Sequence, residues 1–226
     1  MKSDRLKTVF VHIPKCGGTS IEELLFPEEE RTVENFWMGF GKTGWLSRLN
    51  GGRGKPVVAM MNRYQTGGLQ HLTALQMRHA MGRALFDSYY RFAVVRHPTR
   101  RSQSQYKYIK QRPDLLHWIG MDKSDDFLEY LKKTYRRHHV QWQEQISFLY
   151  DFRGNCLVED IIKLEEIDQG MDVVFEKLGL EKNPVPHTNK STGGARAPKP
   201  LSEDEKDVIW ELYKDDFEVL GYDVNQ

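Results

Sequence analysis

The sequence predicts an α/β fold in which a central parallel β-sheet is flanked by helices. Three observations carry this. Short strand-like apolar runs recur: "TVFVHI" (8–13), "PVVAMM" (56–61), "FAVV" (92–95) and "CLVEDII" (156–162). Stretches with apolar residues at helical spacing separate them, and strands alternating with helices are joined as parallel neighbours. The chain has 226 residues and is 39% hydrophobic, which suits one domain, taken as 1–226, with a sizeable core.

The elements follow in order. Thr8 to Ile13 reads as a buried strand, and Thr19 or Ser20 can cap a helix with Ile21, Leu24 and Leu25 on its apolar face. The glycine-rich, basic stretch 39–56 reads as loop, and 56–61 as a second strand. Thr73 can cap a helix over 73–86 with Leu75, Met77, Met81 and Leu85 at helical spacing. "FAVV" is a third strand, stopped by Pro98, and a polar helix runs on through Tyr106 and Ile109. Residues 124–150 read as mostly helical and 156–162 as a further strand. "IDQGMDVVFEKLGL" is a helix ended by Gly179, and 181–200 is loop. The last helix opens with a Ser202/Glu205 capping box and buries Val208, Ile209, Leu212, Tyr213 and Phe217 until Gly221 stops it.

Composition narrows the function classes. The net charge is +1, so the chain as a whole is no basic nucleic-acid binder. No apolar run approaches the roughly 18 residues of a membrane span, and the N-terminus has no room for a signal-peptide apolar region, so a cytoplasmic protein is expected. Cys16 and Cys156 alone make no disulfide framework. No His/Cys pair has zinc spacing.

"HIPKCGGTS" (12–20) stands between the first strand and the first helix. Two glycines let the backbone approach a ligand closely. The helix N-terminus offers unpaired N–H groups and partial positive charge. Thr19 and Ser20 add hydroxyls and Lys15 a full charge, a set suited to phosphate or sulfate. The order differs from the nucleotide-binding G-x-x-x-x-G-K-[ST] loop, because Lys15 precedes the glycines. A plain glycine turn is the structural reading of the same residues.

"RFAVVRHPTRRSQSQYKYI" (91–109) repeats the logic. Arg96 sits at a strand end, where open α/β sheets bind ligands, and Ser104 follows eight residues on. An arginine fork and a hydroxyl can hold a second phosphate. Arg100, Arg101, Lys107 and Lys110 read mostly as a solvated helix face.

These two stretches resemble the 5′-phosphosulfate loop and the 3′-phosphate motif of sulfotransferases. A third, "HTNKSTGG" (187–194) followed by "LSEDEKDVIWELYKDDFEVLGYD", is similar to the C-terminal part of the carbohydrate O-sulfotransferases, which include the heparan 2-O- and chondroitin-sulfating enzymes. The matches run in family order from about residue 8 to residue 223. The resemblance implies a P-loop-like three-layer fold and the donor 3′-phosphoadenosine 5′-phosphosulfate (PAPS). It places Lys15, Cys16, Gly17, Gly18, Thr19 and Ser20 on the 5′-phosphosulfate and Arg96 and Ser104 on the 3′-phosphate. Lys190, Ser191 and Thr192 close over the nucleotide. Asn189 formally opens a glycosylation sequon, read here as part of the ligand loop.

Sulfuryl transfer needs an in-line nucleophile, stabilisation of the leaving oxygen and a base. Lys15 suits the leaving oxygen. Among the eight histidines, His71 in "TGGLQHLTA" is the expected base, since the family carries its catalytic His or Glu in this segment. The heparan 2-O enzymes have a His-x-His pair there, whereas this chain has Leu69-Gln70-His71. His12 is the nearest rival, read as packing behind the lysine. His97 reads as structural and "RRHH" (136–139) as a solvated helix face.

Cys16, at a helix N-terminus beside Lys15, raises a cysteine nucleophile; a loop-filling residue is the preferred reading. Glu159-Asp160, after "CLV", can imitate an acidic metal-binding strand end; in the family a similar segment is structural. No metal is needed. Arg53, Lys55, Arg63 and Arg78 flank the expected acceptor side and can pair with an acidic sugar. Trp37, Trp45 and Trp142 can stack on sugar rings or anchor core and loops. A glycan hydroxyl is the first acceptor expectation and a small alcohol or phenol the second. A nucleotide kinase of similar architecture and a non-catalytic nucleotide-binding module are the rival classes.

Overall fold

The computed structural model describes residues 1–37, 69–135, 139–186 and 200–224. The expected strand at 56–61, the loop at 39–56 and most of the 181–200 loop lie outside them.

Among the described residues, four strands form one sheet in the order β1 (Lys2–Ser3), β2 (Thr8–Val11), β3 (Tyr90–Val95) and β4 (Asp160–Lys163). The β2–β3 and β3–β4 pairs are parallel, whereas the short edge strand β1 is antiparallel to β2. Every residue of β2 and the last four of β3 are buried. Helices cover both faces of such strands, which is why they read as unbroken apolar runs rather than alternating ones.

The helices are α1 (Gly18–Leu25), α2 (Ala74–Met81), α3 (Arg83–Asp87), α4 (Pro98–Ile109), α5 (Pro113–Ile119), α6 (Phe127–Tyr135), α7 (Ile146–Leu149), α8 (Ile167–Leu178) and α9 (Glu203–Leu220). The predicted Ser202/Glu205 capping box forms, and the expected Thr73 cap is also a full box with Gln76. Thr73 accepts from the Gln76 amide and Ser202 from the Glu205 amide, with the glutamine and glutamate side chains reaching back. Gly179 and Gly221 end α8 and α9 in left-handed conformation.

Three expectations are corrected. The helix predicted over 73–86 breaks at Gly82 into α2 and α3, because Gly82 sits at φ +84°, outside helical geometry. The region 124–150 contains α6 and the single turn α7, with turns over 140–143 between them. The strand predicted from Cys156 begins at Asp160; Cys156 makes only an isolated bridge to Tyr150.

Two apolar clusters support the molecule. The larger joins the sheet to α1, α2 and α8 through residues such as Phe10, Ile21, Met77, Phe92 and Val174. The second, built from Ile109, Leu116, Tyr130, Leu131, Ile209 and Phe217, packs α4, α5, α6 and α9 together. That helical cluster anchors α4, which leads directly out of the end of β3. Among the described residues, no helix is long and apolar enough to cross a membrane.

Candidate active site

Because β2, β3 and β4 are parallel neighbours, their carboxyl ends open on the same edge of the sheet. The loop 12–17, Arg96-His97 and Leu164-Glu165 therefore meet there. Lys15 adopts φ +67° and Gly17 φ +78° as the chain turns from β2 into α1. A non-glycine residue in this region stores local strain. The turn it makes presents the Lys15 carbonyl to the Arg96 guanidinium, whose Nη1 donates to it at 3.3 Å. One bond thus ties the two predicted anion clamps together.

Gly17, rather than Thr19 or Ser20, is the N-cap of α1, and no side chain caps the helix. Thr19 and Ser20 sit in its first turn, Thr19 exposed and Ser20 half-buried. The first turn of such a helix leaves amides without an i−4 carbonyl; of these the Ser20 amide bonds the Gly17 carbonyl at 3.1 Å. Gly18 packs against His12: a Cβ there would fall 1.9 Å from His12 Nε2. A Cβ on Gly17 would meet Leu164 Cδ1 at 2.7 Å, so the end of β4 walls the loop on the other side.

The cations are crowded. Burial pulls the Lys15 pKa down, and the neighbouring Arg96 charge pulls it further. Burial also lowers Arg96. Two partly desolvated positive charges beside a helix N-terminus favour an anion between them. The Lys15 ammonium rests 4.3 Å from the centroid of the Tyr108 ring, a contact that the sequence reading missed. Tyr108 lies one helical turn past Ser104 on α4, so Ser104 and Tyr108 share one face. Ser104 is half-buried there, in the second turn of α4.

His71 ends a short 3₁₀ turn, Leu69–His71, whose Leu69 is buried in the larger core. Its Nδ1–H donates to the His12 carbonyl at 3.0 Å. A carbonyl can only accept, so the bond selects the tautomer with the lone pair on Nε2. Gln70 Nε2 approaches that atom at 3.5 Å. Burial pushes the His71 pKa down to about 3, and His12 lowers it further. His71 is thus a neutral imidazole whose accepting nitrogen is defined. The His12 ring meets it edge-on, centroids 4.7 Å apart. On its other side His12 Nδ1 lies 2.8 Å from Glu22 Oε1, both side chains buried. Glu22, one turn into α1 from Gly18, carried no sequence signal beyond an ordinary helical glutamate.

Arg101 corrects the solvated-face reading of its basic run. It is buried, and its guanidinium donates to three carbonyls: Pro14 (3.1 Å), Gln143 (2.8 Å) and Gln141 (3.4 Å). It thereby fixes the loop residue just before Lys15. Lys110 donates to the carbonyls of Lys123 and Asp125, while Arg100 and Lys107 are exposed as expected.

Cys16 is buried, with Sγ 3.2 Å from Gln145 Oε1 and its amide bonded to the Ile13 carbonyl. Burial pushes its thiol up to about 12, so it holds the loop as a neutral thiol and not as a thiolate. His97 is buried against Phe217 and Tyr222, its Nε2–H donating to the Asp223 carbonyl at 2.8 Å, a structural role as expected. Asp160 accepts from Tyr90 and Lys177, also structural. His139, read as part of a solvated face, is instead buried and stacked on Trp142 at 4.5 Å. Trp142 belongs to the helical core, and Trp37 packs beneath Arg31. Arg78 on α2 faces Asp87 at 3.8 Å. Lys190, Ser191, Thr192, Arg63, Arg53, Lys55 and Trp45 lie outside the described residues.

Comparison with known proteins gives one match, to the sulfotransferase family, over residues 1–223. No match was found among curated proteins or among solved structures.

Proposed function

The chain belongs to the sulfotransferase family and is a sulfotransferase enzyme, and from that premise we propose that it moves a sulfuryl group from PAPS to an acceptor hydroxyl, with a carbohydrate as acceptor and His71 as base. The observation that carries the donor assignment is the Arg96–Lys15 contact. It links the Arg96 guanidinium to the main-chain carbonyl of Lys15 and so brings two cation-bearing residues together at adjacent parallel strand ends, beside a helix N-terminus without a side-chain cap. A nucleotide with a 5′-phosphosulfate and a separate 3′-phosphate offers an anion to each.

In this reading the first-turn amides of α1, with Thr19, Ser20 and Gly18, bind the 5′ side, and Cys16 keeps the loop shaped through its buried thiol. Arg96 and Ser104 bind the 3′-phosphate, and Lys190, Ser191 and Thr192 close the nucleotide site. The bound donor supplies an activated sulfuryl group on an anhydride oxygen. Lys15 neutralises charge on that oxygen as its bond to sulfur breaks. The lowered Lys15 pKa makes proton donation to it easier. His71 Nε2 takes the acceptor's proton while its oxygen bonds to sulfur, and the His12 carbonyl steadies the imidazolium through Nδ1–H. Glu22 is close enough to His12 to support the same charge.

The carbohydrate assignment draws on the likeness of "HTNKSTGG" and the C-terminal helix to the carbohydrate O-sulfotransferases. Arg63 and Arg78 are the proposed contacts to its acidic groups. The test is incubation with PAPS carrying labelled sulfate, against a panel of glycans, small alcohols and phenols. Label transferred to a glycan, and lost in Lys15→Ala and His71→Ala, is the expected result. Transfer only to small alcohols or phenols would replace the acceptor, and full transfer by both variants would remove the assigned roles.

A further inference from the structure

We propose that Gln145 is the positioning residue for Arg96: its side-chain amide sets the main chain at the end of β3 so that the guanidinium meets the donor's 3′-phosphate, and Asp216 of α9 holds Gln145 in place. The proposal rests on the reading of Arg96 as the 3′-phosphate clamp.

Gln145 Oε1 accepts the Arg96 N–H at 2.8 Å, and Gln145 Nε2 donates to the Arg96 carbonyl at 2.8 Å. One side-chain amide therefore pairs both main-chain groups of Arg96, as a neighbouring strand would, just beyond the last β3 residue. The reverse amide orientation would set donor against donor and acceptor against acceptor. Asp216 Oδ2 fixes the orientation further by accepting from Gln145 Nε2 at 3.2 Å. The same carboxylate accepts the main-chain N–H groups of Gln145 and Ile146, each at 2.9 Å, at the start of α7. Gln145 and Asp216 are both wholly buried.

A buried amide and carboxylate are expensive to desolvate, and apolar side chains would fill the space without that penalty. What this pair supplies is position. The Arg96 side chain is then held at its other end by the Lys15 carbonyl. Gln145 also touches the donor loop through Cys16 Sγ at 3.2 Å. A thiol is a weak donor, so the two main-chain bonds to Arg96 dominate and the 3′ side should suffer first.

The variant Gln145→Met keeps the length of the side chain and removes its amide. Its folding is checked by thermal melting. Calorimetry then compares adenosine 3′,5′-bisphosphate with adenosine 5′-phosphate, and hydrogen exchange reads the Arg96 amide. Expected are a loss of about tenfold or more for the bisphosphate, less than about threefold for the 5′-phosphate, and faster exchange at Arg96. In a double-mutant cycle with Arg96→Ala the two losses should overlap rather than add. If Gln145→Met does not fold, Asp216→Asn carries the same test, since it keeps the side chain's size and weakens the hold on the Gln145 amide. Bisphosphate affinity equal to wild type, or additive losses, overturns the positioning role and leaves the clamp standing. A wild-type protein that does not distinguish the two nucleotides overturns the clamp and this proposal with it.

Discussion

Gly18 and His12 occupy adjoining space so closely that a single methyl on Gly18 would lie 1.9 Å from His12 Nε2. The imidazole cannot easily withdraw, because Glu22 stands 2.8 Å from its Nδ1 and His71 crosses its ring. The glycine in the anion loop is thus required by a side chain of the protein, independently of any ligand. Gly18→Ala should lower stability by about 1 to 3 kcal/mol through overpacking. It should also weaken nucleotide binding, and His12→Ala in the same chain should restore part of the stability. Chemical denaturation of the three proteins checks this; a Gly18→Ala protein as stable as wild type would refute the packing.

His71 gives a pH signature. Its folded pKa of about 3 lies below the ordinary value of 6.5. Between these values the unfolded chain binds a proton that the folded chain does not. Stability therefore falls as pH drops from about 6.5 towards 3, by on the order of 2 to 4 kcal/mol for this group. His71→Gln should flatten that part of the wild-type-minus-variant profile. The same variant should lose about 10²- to 10⁴-fold in kcat, the usual scale of a lost general base. An unchanged stability difference across pH 4 to 7 would contradict the neutral imidazole.

Glu144 gives the opposite slope. Burial, then Asp216 and Asp215, raise its carboxyl to about 7 from 4.5. Here the folded chain holds the extra proton, so stability is lost as pH rises from 4.5 through 7. Glu144→Gln should stabilise the protein at pH 8 by about 1 to 2 kcal/mol, discounted for partial exposure, and have little effect at pH 4. Melting curves at the two pH values check it; equal effects at both would contradict the repulsion.

Arg101 tests the buried frame of the 12–17 loop. Arg101→Met leaves three carbonyls, of Pro14, Gln141 and Gln143, without their donor. A loss of about 3 to 5 kcal/mol is expected. Arg100→Met, at the neighbouring position and exposed, should change stability by less than about 0.5 kcal/mol. Denaturant midpoints for the pair decide between a structural Arg101 and a solvated one.

These variants show where the sequence was readable. β2, β3, their loops, the Thr73 cap and the Ser202/Glu205 capping box could be read because buried strands and caps have local signatures. His71 could be singled out through the family segment it falls in, and its role as base stands as a proposal. Gln145 and Asp216 could not: a glutamine in "QWQEQIS" and an aspartate in "YKDDF" look like ordinary surface residues. Their burial depends on α9 packing back over α7, a long-range fact with no periodicity of its own. Arg101 hid in a basic run for the same reason. Tyr108 looked like one more aromatic on a polar helix until Lys15 was found above it.

The central claim is that the ends of β2 and β3 hold different phosphates of one nucleotide. Calorimetry of Arg96→Ala with adenosine 3′,5′-bisphosphate and with adenosine 5′-phosphate tests it most directly. A much larger loss of affinity for the bisphosphate is predicted, on the order of 1.5 to 3 kcal/mol for a charge-assisted contact, with the 5′-phosphate nearly unaffected. Equal losses for both nucleotides would contradict it.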